Sequence, residues 1–220
     1  MLFSAGPQVR RWVLWGLLVI LVLSMLSTLV WLAGRYEASQ VQSTLERDTA
    51  DATNDIRGGL MRDVQALQAL QASHSTTTAW SAEAGGLLRE HRAWLRVEWR
   101  DAQMQLRHHI DSPLRAPSFG KTPRSNVVNE FMQACQRARR SNGPAYSGSY
   151  FVPQDDGLGF EVMDMCLPLV MAGETVGYAI TSYSLQEMLA EHLSPAFARR
   201  NEVSFTEPDG TRLAAMGQHG

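Results

Sequence analysis

The stretch Trp12–Ala33, WVLWGLLVILVLSMLSTLVWLA, constrains this chain more than any other: 22 consecutive residues carry no Asp, Glu, Lys, Arg or His. As a helix it is about 33 Å long, enough for a bilayer core of roughly 30 Å. Trp12, Trp15 and Trp31 stand towards its two ends, where interfacial aromatics belong. A cleaved signal peptide has a shorter apolar core of about 7–15 residues followed by a small-residue site. Leu32-Ala33-Gly34 offers such a site, so cleavage is the alternative; the length of the run favours an uncleaved signal anchor.

Arg10 and Arg11 precede the span in a tail without acids, whereas Arg35 is followed closely by Glu37. The positive-inside bias then makes residues 1–11 a cytoplasmic tail and residues 12–33 a single transmembrane helix, with everything after about residue 35 exported. In a bacterium that means an inner-membrane anchor and a periplasmic remainder. From Tyr36 onward the chain has 17 basic and 22 acidic residues, a net charge of −5. This argues against nucleic acid as a partner, which calls for a basic footprint. The exported part, about 185 residues, is enough for one domain or one and a fraction. Cys135 and Cys166 are too few for a disulfide scaffold; in an oxidising compartment they can pair, or remain two buried free thiols.

Residues 36–72 read as one long amphipathic stalk helix. Val41, Leu45, Ala52, Ile56, Leu60, Val64 and Leu67 form a single apolar stripe, opposite Glu46, Asp48, Asp51, Asp55 and Arg62. Its near half suits pairing with a second copy and its far half packing on its own domain; Gly58-Gly59 invites a bend. A second helix runs from Trp80 to about Arg92. The period then changes to two: Trp94–Arg100 and Met104–Ile110 read as a hairpin, followed by a Pro/Gly loop over 113–123. A helix spans 125–140, with Ser125 or Asn126 as its cap. Strands follow at Ala145–Val152, Phe160–Met171 and Thr175–Tyr183, the last two joined at Ala172-Gly173. Ser184 caps a helix over Leu185–Leu193, with Glu187 at the capping-box position. Residues 202–214 read as strand, Pro-Asp-Gly turn and strand. This last hairpin has no visible partner, and two strands alone are marginal in water. The expectation is a truncated second module over 199–220, after a first domain over 73–198.

Long helix, helix, two strands, helix, three strands: this order resembles the PAS-like extracytoplasmic sensor module called Cache or PDC. It is most similar to double-Cache sensors of bacterial histidine kinases, such as the C4-dicarboxylate type. The residues carrying the resemblance are Trp99-Arg100-Asp101, Tyr150-Phe151, Phe160 through Thr175 and Val176-Gly177-Tyr178-Ala179 leading into Ser184-Leu185. The turn Glu207-Pro208-Asp209-Gly210 also fits. It implies an α+β fold: an antiparallel PAS-like sheet with flanking helices behind the anchor and stalk. It also implies a homodimer through the stalk, a small-molecule ligand and, beyond these residues, a kinase core addressing a response regulator.

No catalytic constellation appears: there is no G-x-S-x-G, P-loop or H-E-x-x-H, and GLGFEV at 157–162 lacks the third glycine of a dinucleotide fingerprint. No cofactor is called for. His108 and His109, neighbours on one strand, point to opposite faces and make a poor metal pair, so no metal is expected either. In a PAS-like module ligands lie between the sheet and what covers it. The residues that could wall such a pocket are Arg124, Tyr146, Tyr150, Asp164, Thr181 and Tyr183, with Asp164 able to hold an amine or pair with an arginine. The function expected is signal sensing for a membrane-bound histidine kinase. The alternatives are the same sensor on a diguanylate cyclase or chemotaxis receptor, or an anchored structural or adaptor domain without ligand.

Overall fold

A computed structural model describes residues 7–72, 76–115, 124–153 and 159–217. Packing divides the chain into two units, Met1–Asp51 and Ala52–Gly220. In the first unit the described residues belong to helix α1 (Pro7–Ala72), which opens on a proline, a residue tolerated where an N–H has no intrahelical acceptor anyway. Its apolar side chains are exposed from Trp12 to Trp31. The Ser24 hydroxyl donates to the Leu21 carbonyl at 2.9 Å and the Thr28 hydroxyl to the Ser24 carbonyl. The few polar groups are thus satisfied inside the helix, as a bilayer interior demands. By length and composition this segment can cross a membrane.

In the second unit the apolar stripe of α1 becomes a core element. Ala52, Val64, Leu67 and Leu70 are buried, and Ile56 and Leu60 pack against them, whereas Val41 and Leu45, in the first unit, stay exposed. Gly58 and Gly59 lie inside the continuous helix. Gly59 has a packing reason: a Cβ there would stand 2.2 Å from Nδ1 of His192, so its absence lets the helix close on α4. Helix α2 (Thr77–Glu90) is capped by the Thr76 hydroxyl, which accepts from the Ala79 N–H, and buries Trp80, Ala84 and Leu88.

The strands are β1 (Trp94–Asp101), β2 (Leu106–Asp111), β3 (Ala145–Pro153), β4 (Gly159–Met171) and β5 (Glu174–Ser184). They form one antiparallel sheet in the order β2-β1-β5-β4-β3. The β4–β5 turn has positive φ at Ala172 and Gly173, 51° and 84°, as a two-residue hairpin turn of matching twist requires. On one face, α1, α2 and α4 (Leu185–His192) share a core with Trp94, Val97, Met165, Leu167, Ala179 and Tyr183. On the other, α3 (Arg124–Ser141) sets Ala134, Cys135 and Ala138 against Cys166, Tyr178 and Ile180. Cys135 and Cys166 form a disulfide, Cα–Cα 5.2 Å, that ties α3 to β4.

Besides a slip in β2 that leaves Arg107 over, three bulges decide which side chains share a face, because each extra residue reverses the alternation beyond it. In β1 the pairing slips at Leu95, so Trp94 and Val97 face α1 while Leu95 joins Val152 and Val162 opposite. In β3 it slips between Tyr146 and Ser149. In β5 the turn starts with Met171 opposite Glu174 and Val170 opposite Thr175, then jumps to Leu169 opposite Gly177, leaving Val176 over.

After α4 come a short helix α5 (Pro195–Ala198) and the hairpin β6 (Val203–Thr206) and β7 (Arg212–Met216). This hairpin has a partner, which the sequence did not reveal. The Gln186 side chain of α4 donates to the Ala215 carbonyl at 2.8 Å and accepts from the Ala215 N–H at 3.3 Å. Ala214 is buried, and Val203, Phe205, Leu213 and Met216 pack on the main core. Docking on α4 supplies what two strands alone lack.

Candidate functional site

On the sheet face shared with α3, Arg96, Ser182 and Asp164 stand side by side across three strands, and Asp111 extends the row from β2. Asp164 is 4% exposed. Its carboxylate accepts from the Tyr150 hydroxyl, 3.0 Å from each oxygen, and from the Ser182 hydroxyl at 2.6 Å. The Asp164 N–H donates to the Ser147 hydroxyl at 2.9 Å, inside the β3 bulge. Burial pushes the Asp164 carboxyl up to about 6; the two hydroxyls and Arg100 pull it down, and Glu98 adds to the rise. Burial, and next the Asp164 charge, hold the Tyr150 phenol far above its ordinary value, so it remains a donor.

Beside this carboxylate runs a ladder of paired charges. Arg96 grips Asp111 with two bonds, 2.5 and 3.1 Å, and approaches Glu98 at 3.5 Å. Arg100 holds Glu98 at 2.7 and 2.8 Å, donates to the Met104 carbonyl, and lies 4.8 Å from the centre of the Phe131 ring of α3. Both arginines are engaged by carboxylates of their own. Among the described residues Asp164 has no ion pair; its partners are neutral hydroxyls.

Of the residues picked from sequence, the structure brings Tyr150 and Asp164 together and separates them from three others. Thr181 pairs with Met165 and Val97, Tyr183 with Met163 and Trp94, and Tyr146 with Met165, all on the face towards α1. The bulges are the reason. An unbroken two-residue hairpin would set Asp164 opposite Thr181; the extra Val176 sets it opposite Ser182. An unbroken β3 would keep Tyr146 and Tyr150 on one face; the slip between them divides them. Tyr146 instead lines an apolar groove of about 460 Å³ along α1, with Ile56, Leu60, Met61, Val64 and Phe205. Arg124 opens α3, and its side chain lies outside the described residues, as do residues 116–123 of the expected loop and residues 154–158 before β4. His108 and His109 do point to opposite faces: His108 sits against Trp80 and Trp99, opposite Trp99, and His109 opposite Glu98. Among the described residues no group of His, Cys, Asp and Glu could hold a metal ion.

Sequence reasoning missed Ser182, Ser147, Arg96, Glu98, Arg100 and Asp111. The Arg-Val-Glu-Trp-Arg alternation over 96–100 was the available signal: charges at every second position define one face of a strand.

The element order and the sheet order β2-β1-β5-β4-β3, with helices on both faces, make an α+β fold with an antiparallel sheet behind a long N-terminal helix, as the PAS-like resemblance leads one to expect. No protein-family model and no curated protein matches the sequence. Among solved structures the chain is similar to the ligand-binding domain of the Pseudomonas aeruginosa PAO1 amino-acid chemoreceptor PctC in complex with GABA. That match has 20% identity over 77% of this chain and 71% of that one, with a TM-score of 0.46. It is similar to the sensory domain of the Campylobacter jejuni chemoreceptor Tlp3 with isoleucine bound, at 14% identity over 81% and 73%, TM-score 0.49. It is also similar to the extracellular domain of a protein assigned as the histidine kinase vpHK1S-Z8, at 12% identity over 70% and 59%, TM-score 0.46. Likenesses this distant carry neither ligand nor output over to this chain.

Proposed function

We propose that this chain is the sensory region of a membrane-anchored bacterial receptor, with its sheet domain in the periplasm and a small-molecule site on the face around Asp164. The observation that supports it is the buried Asp164 carboxylate, held by the Tyr150 and Ser182 hydroxyls and by no described cation. A buried carboxylate is costly unless its charge is met, and a small cationic ligand, an amine above all, meets it. Binding would shift the sheet domain, and the helix that follows the anchor would carry the shift inward, against the same helix of a second copy. The output is a two-component histidine kinase speaking to a response regulator; a diguanylate cyclase or chemotaxis receptor would use the same sensor.

The test is a thermal-shift screen of the chain in lipid nanodiscs against small amines and organic acids. A cationic compound is expected to raise the melting temperature of the wild type but not of Asp164→Ala or Tyr150→Ala. Stabilisation by no compound, or by the same compound equally in the variants, would remove the site. For the output, the reading frame beyond Gly220 decides: a second span and a kinase core support the histidine kinase.

A further inference from the structure

A second buried carboxylate, Asp63, lies on α1 facing the core, 1% exposed and remote from the Asp164 face. Its Oδ1 is 3.4 Å from Nδ1 of His91, at the end of α2, and its Oδ2 is 3.8 Å from Nε2 of His192 on α4. His91 Nδ1 also lies 3.1 Å from Glu191 of α4, whose other oxygen accepts the Ala93 N–H at 2.8 Å. The His91 ring stacks on Trp94 of β1, centres 4.5 Å apart. From the remaining elements, Glu90 of α2, Tyr183 of β5 and Tyr146 of β3 complete the surroundings, the first acting on His91 and the two phenols feeling Asp63. Among the described residues the only basic side chains in ion-pair reach of Asp63 and Glu191 are the two histidines.

We propose that Asp63, His91, Glu191 and His192 form a proton-operated latch that fastens α1 to the start of β1 and the end of α4, closed while the His91 imidazole carries a proton and loosened when it loses it. One imidazole bridges carboxylates from two helices that are far apart in sequence. Without its proton, the imidazole no longer puts a positive charge between the carboxyl groups of α1 and α4 that it bridges. Gly59, one turn before Asp63, is what admits His192 to this position. The hydrogen bond to Glu191, and then the charges of Asp63, Glu191 and Glu90, raise His91 above its ordinary 6.5 in spite of burial. Burial pushes Glu191 up, but the bonds from His91 and the Ala93 N–H outweigh it and leave its carboxyl below 4.5. A raised imidazole stabilises fully below 6.5 and loses its contribution as the pH rises through its folded value. A lowered carboxyl keeps its contribution above 4.5 and loses it only in stronger acid. The latch therefore opens on the alkaline side, whether or not Asp164 takes a ligand.

The experiment is hydrogen exchange of the full chain in nanodiscs between pH 6.5 and 8.5, corrected for intrinsic rates, alongside a titration of the histidine ring resonances. Protection of residues 60–70 in the wild type is expected to fall progressively as the pH rises through this range. In His91→Gln it should be low already at pH 6.5 and flat thereafter. The His91 resonance should titrate above 6.5 in the wild type and lower in Glu191→Gln. Flat wild-type protection, an unchanged fall in His91→Gln, or a His91 that titrates at or below 6.5 would each overturn the latch. Asp63→Asn is a further variant; should it fail to fold, the partly exposed His91 and Glu191 positions still decide the matter.

Discussion

Asp164 is the residue on which most of the chemistry turns, and its protonation gives a signed prediction. In the unfolded chain its carboxyl ionises near 3.8, but in the fold it keeps its proton up to about 6. Between those values the unfolded chain binds fewer protons, so stability falls as the pH rises from about 4 to 6 and then levels off. Denaturation curves should show this fall in the wild type and lose it in Asp164→Asn. Tyr150→Phe removes a donor to the ionised carboxylate and should cost roughly 2 kcal/mol at pH 7.5, where the group is charged. At pH 4.5, where the group is neutral, the same substitution should cost less. A cost independent of pH would mean that the phenol serves packing alone.

At the scale of elements, what periodicity announced and what it concealed separate cleanly. Apart from the short α5, each described helix and strand was legible, because the apolar spacing changes from 3.6 to 2 at Trp94 and the caps at Ser184 and the Ala172-Gly173 turn are local signals. The wall of the site was legible only in part. Parity in a strand assigns faces only as far as the nearest bulge, and the glycines that hint at one, Gly148 in β3 and Gly177 beside Val176, do not say which residue is extra. That is why Tyr150 and Asp164 share one face while Tyr146, Thr181 and Tyr183 stand on the other. Gly59 teaches the same lesson from a helix. Its intrinsic propensity says that alanine should stabilise α1 by about 1 kcal/mol. The His192 ring 2.2–2.6 Å from the missing Cβ says the reverse, since that ring is buried and cannot swing aside. Gly59→Ala should destabilise the domain by about 1–3 kcal/mol in chemical denaturation; a gain would show that α1 and α4 have room between them. The Cys135–Cys166 bridge joins positions 31 residues apart. Its removal by paired serine substitution should cost about 3–4 kcal/mol by the loop-entropy argument, read in the same assay.

Taken whole, the molecule sets an apolar helix fit for a bilayer before a sheet domain with two differently furnished faces. The face towards α1 is apolar, with the Asp63 cluster as its polar exception. The face towards α3 carries the arginine–carboxylate ladder and Asp164. If the domain senses a small molecule, the two faces predict different places for it: the apolar groove beside Tyr146, or the polar row beside Asp164. The measurement that decides is isothermal titration of the stabilising compound against the chain in nanodiscs, comparing Asp164→Asn and Ser182→Ala with Thr181→Val and Tyr146→Phe. Affinity lost at least tenfold, about 1.4 kcal/mol, in the first pair and kept in the second is the result expected. Loss in the second pair with wild-type affinity in the first would place the site on the opposite face and contradict the account.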